Sequence, residues 1–305
     1  VADHGGSRLT APRNEREEHD MNIRPVRQIV PALGTSDGAG VSLRRSIGTP
    51  ALKHLDPFLM LDHFGSDKPD DYIAGFPDHP HRGFITFTYM LDGHMEHRDS
   101  MGNRGDLRAG GAQWMKAASG VIHSEMPRQV DGLMRGFQLW INLPAAQKMS
   151  DPDYQEFTPA GIPEVEAEGE RVRVLAGEHK GVAGAVRDPN TDVLYLDVSL
   201  SAGMTFERPV PAGHNAFTYL YEGDGAVADR PLAAYHLAVL GPGDGFALTA
   251  GRAGARFILV AGRPIGEPIV QYGPFVMNTR EEIEQAINDY RDGRLVRVRA
   301  QMHGA

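Results

Sequence analysis

From about Ile23 onward, apolar and polar residues alternate in short runs cut by Gly, Pro, Asp and Asn. Side chains two apart on a strand share a face, so this pattern predicts short β-strands with one buried face. Phe84-Ile85-Thr86-Phe87-Thr88-Tyr89-Met90-Leu91 is rich in β-branched and aromatic residues. Asp92-Gly93 follows it and predicts a tight hairpin turn, because both turn positions need positive φ. His94-Met95-Glu96-His97 is then the return strand. Gly102-Asn103 marks another turn, and Phe137-Gln138-Leu139-Trp140-Ile141-Asn142-Leu143 another strand, ended by Pro144. Strand signals resume at Arg171–Leu175, Val193–Leu200 and Phe257–Val260. One segment changes period. Thr279 and Glu282 form a capping box, Ile283, Ala286, Ile287 and Tyr290 fall at i, i+3, i+4 and i+7, and Gly293 stands at the C-cap. This predicts a helix over 280–292, packed outside a sheet.

The fold class is therefore all-β with a short C-terminal helix. Phe87-Thr88-Tyr89-Met90-Leu91-Asp92-Gly93 is echoed by Phe217-Thr218-Tyr219-Leu220-Tyr221-Glu222-Gly223, which predicts two similar β-domains. In that register Pro209 and Pro211 stand where the first half has His79 and His81. The expected division is a flexible tail over 1–22, a metal-binding domain over 23–150, a surface linker over 151–170, and a second domain without metal ligands over 171–305.

The chain has 305 residues and no cysteine, so disulfides, thiolate ligands and cysteine nucleophiles are excluded. Any metal is bound by N and O ligands. This composition is compatible with the cytoplasm. The net charge of −9 argues against direct nucleic-acid binding, which needs a basic surface. No apolar run is long enough to span a bilayer, so no membrane partner is expected.

His79-Pro80-His81-Arg82-Gly83 and His123-Ser124-Glu125 carry the chemistry. In extended chain each segment offers two ligands from one side of a sheet. Facing each other across a barrel, the two pairs give an N3O site of His79, His81, His123 and Glu125. That set binds Fe(II), Mn(II), Ni(II), Co(II) or Zn(II) and leaves positions open on a five- or six-coordinate ion. Glu125 also has the charge and place of a base. His94 and His97, three apart, are expected to face opposite sides at a solvated rim. His54, His63 and His214 are expected to be structural or exposed, and the methionines around the site to fill core.

Longer motifs add to this reading. Leu55-Asp56-Pro57-Phe58, Leu61-Asp62-His63-Phe64, Gly75-Phe76-Pro77-Asp78-His79-Pro80-His81-Arg82-Gly83-Phe84, Glu96-His97-Arg98-Asp99-Ser100, Gln113-Trp114-Met115, Gly120-Val121-Ile122-His123-Ser124-Glu125-Met126-Pro127, Gln138-Leu139-Trp140 and Gly273-Pro274-Phe275-Val276-Met277-Asn278 stand in the order found in the pirin family of the cupin superfamily, and the chain resembles that family from about Ile23 to Gly293. The resemblance implies two cupin-type antiparallel β-barrels of jelly-roll form (a bicupin), a monomer, and iron held by His79, His81, His123 and Glu125 of the first barrel. Other first-row ions, Cu included, are alternatives to Fe(II). It places Asp62, Phe76, Arg82 and Gln138 in the substrate pocket. Ile85 stands where many family members have Glu, which implies altered surroundings of the metal. Two functions follow by resemblance. One is a cytoplasmic quercetin 2,3-dioxygenase-type enzyme that opens a flavonol ring with O2 and releases CO, with Glu125 or a metal-held hydroxide taking the flavonol proton. The other is an iron-dependent regulator of a protein partner, nuclear if the source is eukaryotic.

Overall fold

The computed structural model describes residues 21–297. The expected tail over 1–22 lies outside them except for Met21 and Asn22. Among the described residues no helix is long and apolar enough to cross a membrane.

Two antiparallel barrels pack against each other. The first is made of two sheets. Its seven-stranded sheet runs Asp153–Phe157, Ala112–Lys116, Phe84–Asp92, Met134–Asn142, Phe58–Ser66, Val41–Ile47, Leu33–Asp37. Its four-stranded sheet runs Phe76–His81, Val121–Pro127, His94–Asp99, Arg104–Arg108. The second barrel is a single nine-stranded sheet built on two long strands, Asn215–Val227 and Gly245–Gly262.

Strand alternation decides what faces where. Along Phe84–Asp92, Ile85, Phe87 and Tyr89 join the core between the barrels, as do Phe137, Leu139 and Ile141 of Met134–Asn142. Tyr195, Phe217, Tyr219, Tyr221, Ile258 and Val260 meet them from the second barrel. Burying one such phenylalanine contributes about 1.5–3 kcal/mol. The intervening residues of the first barrel (Thr86, Thr88, Gln138, Trp140) point the other way, into its interior. The corresponding interior of the second barrel is filled by Val172, Leu196, Phe206, Leu220, Phe246 and Phe257. Ile85 is thus in the inter-barrel core, and the expectation that it changes the metal's surroundings is corrected.

The chain crosses the expected domain boundaries in three places. Val26–Pro31 pairs with His236–Leu240 and so begins the chain in the second sheet. Asp153–Phe157, expected in a linker, extends the first sheet beside Ala112–Lys116, and Glu164–Ala167 pairs with Glu170–Ala176 in the second. The C-terminal hairpin (Val270–Tyr272 with Phe275–Met277) and the helix Arg280–Arg291 return to the first barrel. Thr279 and Glu282 cap the helix reciprocally. Ile283 and Ala286 pack on Phe275, Met277 and Leu295. Gly83 admits this return: its φ is +91°, and a Cβ there would stand 1.9 Å from the Val276 carbonyl oxygen.

His63, expected to be structural or exposed, lies buried on Phe58–Ser66. It stacks on Phe137 and its Nδ1 is 3.2 Å from the Tyr219 hydroxyl. Burial, with Arg135 and Arg44 nearby, holds its pKa down at about 3. A histidine neutral in the fold and near 6.5 when unfolded binds its proton preferentially in the unfolded chain. Its contribution is therefore complete above pH 6.5 and is lost as pH falls toward 3, at a limit of about 1.4 kcal/mol per pH unit. H63F removes the Tyr219 partner at every pH, so the slope is the diagnostic. Urea unfolding of H63F between pH 6 and 4 is expected to show a pH slope smaller by up to one proton; equal slopes contradict the assignment.

Candidate metal centre

The pairing of Phe76–His81 with Val121–Pro127 places His123 directly opposite His79. Directly opposed residues share a face, and so do His79 and His81 two apart. Three imidazoles therefore converge from neighbouring strands of one sheet, where facing pairs across the barrel were expected. His79 Nε2 lies 3.1 Å from His81 Nε2 and 3.0 Å from His123 Nε2. One ligand atom from each ring lies within 4.8 Å of the others.

The other ring nitrogens fix how these face one another. His79 Nδ1 is 2.8 Å from the Pro77 carbonyl, which can only accept, so Nδ1 carries the proton and Nε2 is a bare lone pair. His81 Nδ1 is buried near the Pro274 carbonyl without a hydrogen bond of good geometry. His81 packs edge-on against Phe84 and Trp140. Burial, reinforced by neighbouring imidazoles, holds His81 and His123 well below the ordinary histidine range, so both rings are neutral. Nitrogens 3.0–3.1 Å apart have the spacing of ligands at right angles around one ion with bonds of about 2.1 Å. The donor set fits a first-row ion.

Glu125 does not join the cluster. The register slip lies in Phe76–His81, while Val121–Pro127 pairs evenly with His94–Asp99, so Glu125 keeps the face of His123. Its buried carboxylate reaches the large sheet instead, where Oε1 accepts from the Thr88 hydroxyl (3.1 Å) and Oε2 from Gln138 Nε2 (2.8 Å). Gln138 Oε1 in turn accepts from Trp140 Nε1. The expected N3O set is here three imidazoles, with the carboxylate held beside them.

A cavity of about 530 Å³ opens over His79 and His81, within the range of small-molecule sites. Met60, Phe76 and Trp140 are its apolar walls; Arg45, Asp62 and Gln138 are polar, and Gln271, Gly273 and Pro274 of the C-terminal hairpin close one side. Of the four expected pocket residues, Asp62, Phe76 and Gln138 line it. Asp62 is held by Arg45 through two bonds of 2.7 Å. Arg82 does not line it. Adjacent to His81, it points to the opposite face, where Nε donates to the Ser119 carbonyl (2.6 Å) and Nη1 to Asp289 of the helix (2.8 Å). Its role is a buried latch.

His97 is a further correction. It is 1 % exposed, and Nδ1 lies 3.3 Å from His123 Nδ1. His94, three residues earlier, does face outward and pairs with Asp106. The His97-x-Asp99 spacing held the missed signal: it puts an acid on the same face as an inward histidine. Arg45 had no such signal, since its partners Asp37 and Asp62 come from other strands.

Residues 40–141 match the family model described as Pirin, and residues 195–296 that of the Pirin C-terminal cupin domain. A pirin-like protein of Caulobacter vibrioides is 52% identical over 90% of this chain and 100% of the relative. Human pirin is 43% identical over 85% of this chain and 89% of its own length. The crystal structure of a quercetin 2,3-dioxygenase from Acinetobacter baumannii superposes with a TM-score of 0.84 at 33% identity, covering 90% of this chain and 98% of the other.

Proposed function

Because the chain belongs to the pirin family, we propose that it is a mononuclear Fe(II) oxygenase of the quercetin 2,3-dioxygenase type, acting on a flavonol-like substrate and O2. One observation carries this reading: the Nε2 atoms of His79 and His81 stand 3.1 Å apart at the floor of an aromatic-walled cavity, with His123 Nε2 3.0 Å from that of His79. With no proton between them they repel, and a cation relieves that repulsion. The Acinetobacter enzyme supports the reaction class.

His79, His81 and His123 would hold the ion, which when bound supplies Lewis acidity and redox chemistry toward the flavonol and O2. Phe76, Met60 and Trp140 clasp a flat ring system and exclude water. Glu125 is the carboxylate of this reading. Exchanging its bond to Gln138 or Thr88 frees an oxygen, either to take the flavonol hydroxyl proton or to become a fourth ligand. One flavonol and one O2 give one ring-opened ester and one CO.

Protein loaded anaerobically with Fe(II) and mixed with quercetin in air is expected to bleach the flavonol with one CO trapped by deoxyhaemoglobin per flavonol lost. Absence of CO with Fe, Mn, Co, Ni, Cu and Zn loading alike would contradict the enzymatic reading.

A further inference from the structure

We infer that His97 and Asp99 form a buried relay that fixes the tautomer of His123, making His97 a positioning residue for the metal centre. The inference rests on the reading that His123 is a ligand. Asp99, His97 and His123 lie on adjoining strands, and all three side chains are within a few per cent of complete burial.

The direction of the relay follows from which atoms can donate. Asp99 accepts through Oδ1 from the Met101 and Asn103 backbone N–H groups and through Oδ2 from Asn103 Nδ2. Oδ2 also faces His97 Nε2 at 3.5 Å, a long contact. These bonds, led in effect against burial by His97 and Asn103, hold the Asp99 carboxyl below its usual range. An acceptor there puts the His97 proton on Nε2 and leaves Nδ1 as a lone pair. That lone pair lies 3.3 Å from His123 Nδ1, which must then carry the hydrogen. His123 Nε2 is thereby bare and faces His79 Nε2. Tyr154 holds the His97 ring in place, tilted against it at 4.9 Å, with its own hydroxyl donated to Glu156. The relay does for His123 what the Pro77 carbonyl does for His79. Outer partners of this kind typically carry 10–100-fold in metal affinity.

Two variants separate the relay from simple packing. H97F keeps the ring's shape and removes both hydrogen bonds. D99N keeps the turn, because Asn forms the same side-chain-to-backbone bonds, but offers an NH2 to His97 Nε2 and so reverses the relay. His123 would then carry its proton on Nε2, toward the site. Competition titration with a chromophoric chelator gives the affinity for Co(II), and the visible spectrum of the Co(II) form reports its ligand field. Both variants are expected to bind Co(II) about 10–100-fold more weakly than wild type, with an altered Co(II) spectrum and an unchanged far-UV CD spectrum. H97N, which keeps an acceptor toward His123, is expected to recover most of the loss. If H97F does not fold, D99N alone decides. Wild-type affinity and spectrum in D99N overturn the relay while leaving the metal centre standing; failure of the wild type to bind Co(II) at one site overturns both.

Discussion

H81A is expected to lose metal at least 100-fold in affinity and CO release altogether, while keeping its fold. Outer hydrogen-bond partners of ligands already carry 10–100-fold, and a ligand is worth more than its support. His81 is 2 % exposed and packs edge-on against Phe84 and Trp140. Its removal leaves the strand pairing of Phe76–His81 untouched, because that pairing is made by backbone. The packing cost is that of one truncated side chain in a wall already open to a cavity. Metal binding gives an independent readout. A ligand at a hundred times its Kd stabilises a fold by about 2.7 kcal/mol, so wild type should melt measurably higher with Fe(II) or Co(II) than without, and H81A should not. Equal metal-induced shifts in both proteins would remove His81 from the centre.

The second large effect is predicted at Asp289, 207 positions from Arg82 in sequence. D289A is expected to destabilise the protein by about 3–5 kcal/mol, the cost of leaving a buried charge without its partner. Arg82 is 1 % exposed and its Nη1 donates to Asp289 at 2.8 Å. Among the described residues no other acid pairs with Arg82, whose remaining bonds go to the carbonyls of Ser119 and Leu295. The double variant R82M/D289L removes both charges and keeps apolar volume, and is expected to recover most of the loss. Urea unfolding of the wild type, both single variants and the double variant forms the cycle. Additive losses would show that the pair is not a unit. The latch matters to the site because the same segment presents Gly273 and Pro274 to the cavity, and Val276 N donates to the Arg82 carbonyl one residue from His81.

Local pattern carried the parts of this architecture that local physics decides. The alternation along Phe84–Asp92 and the Thr279–Glu282 capping box each depend on residues close in sequence, and each stands as expected. The expected Asp92-Gly93 hairpin is corrected: only Gly93 of the two has positive φ, and the turn carries the chain from the seven-stranded sheet into His94–Asp99 of the four-stranded one, because the two strands find their partners elsewhere. The convergence of His79, His81 and His123 was legible because period two puts each pair on one face. That they come from adjacent strands was not, since pairing partners are chosen by the whole sheet. The same limit hid the return of Val26–Pro31 to the second sheet and of the C-terminal hairpin to the first barrel. Glu125 keeps the face of His123 as alternation requires, but Thr88 and Gln138 of the other sheet hold its carboxylate, and partners from another sheet are not set by local spacing. Arg82 was placed in the pocket by resemblance, although its place next to His81 already required the opposite face. His97 was set on a rim because histidine alone does not announce burial; Asp99 two residues on supplies the partner that makes burial affordable.

The central claim is that three imidazoles hold one ion. An anomalous difference map collected at the iron edge, from crystals of protein purified without added chelator and loaded with Fe(II), tests it most directly. The account predicts one peak per chain at about 2.0–2.2 Å from Nε2 of His79, His81 and His123. A map with no peak there, the three rings hydrogen-bonded only to one another, would contradict it.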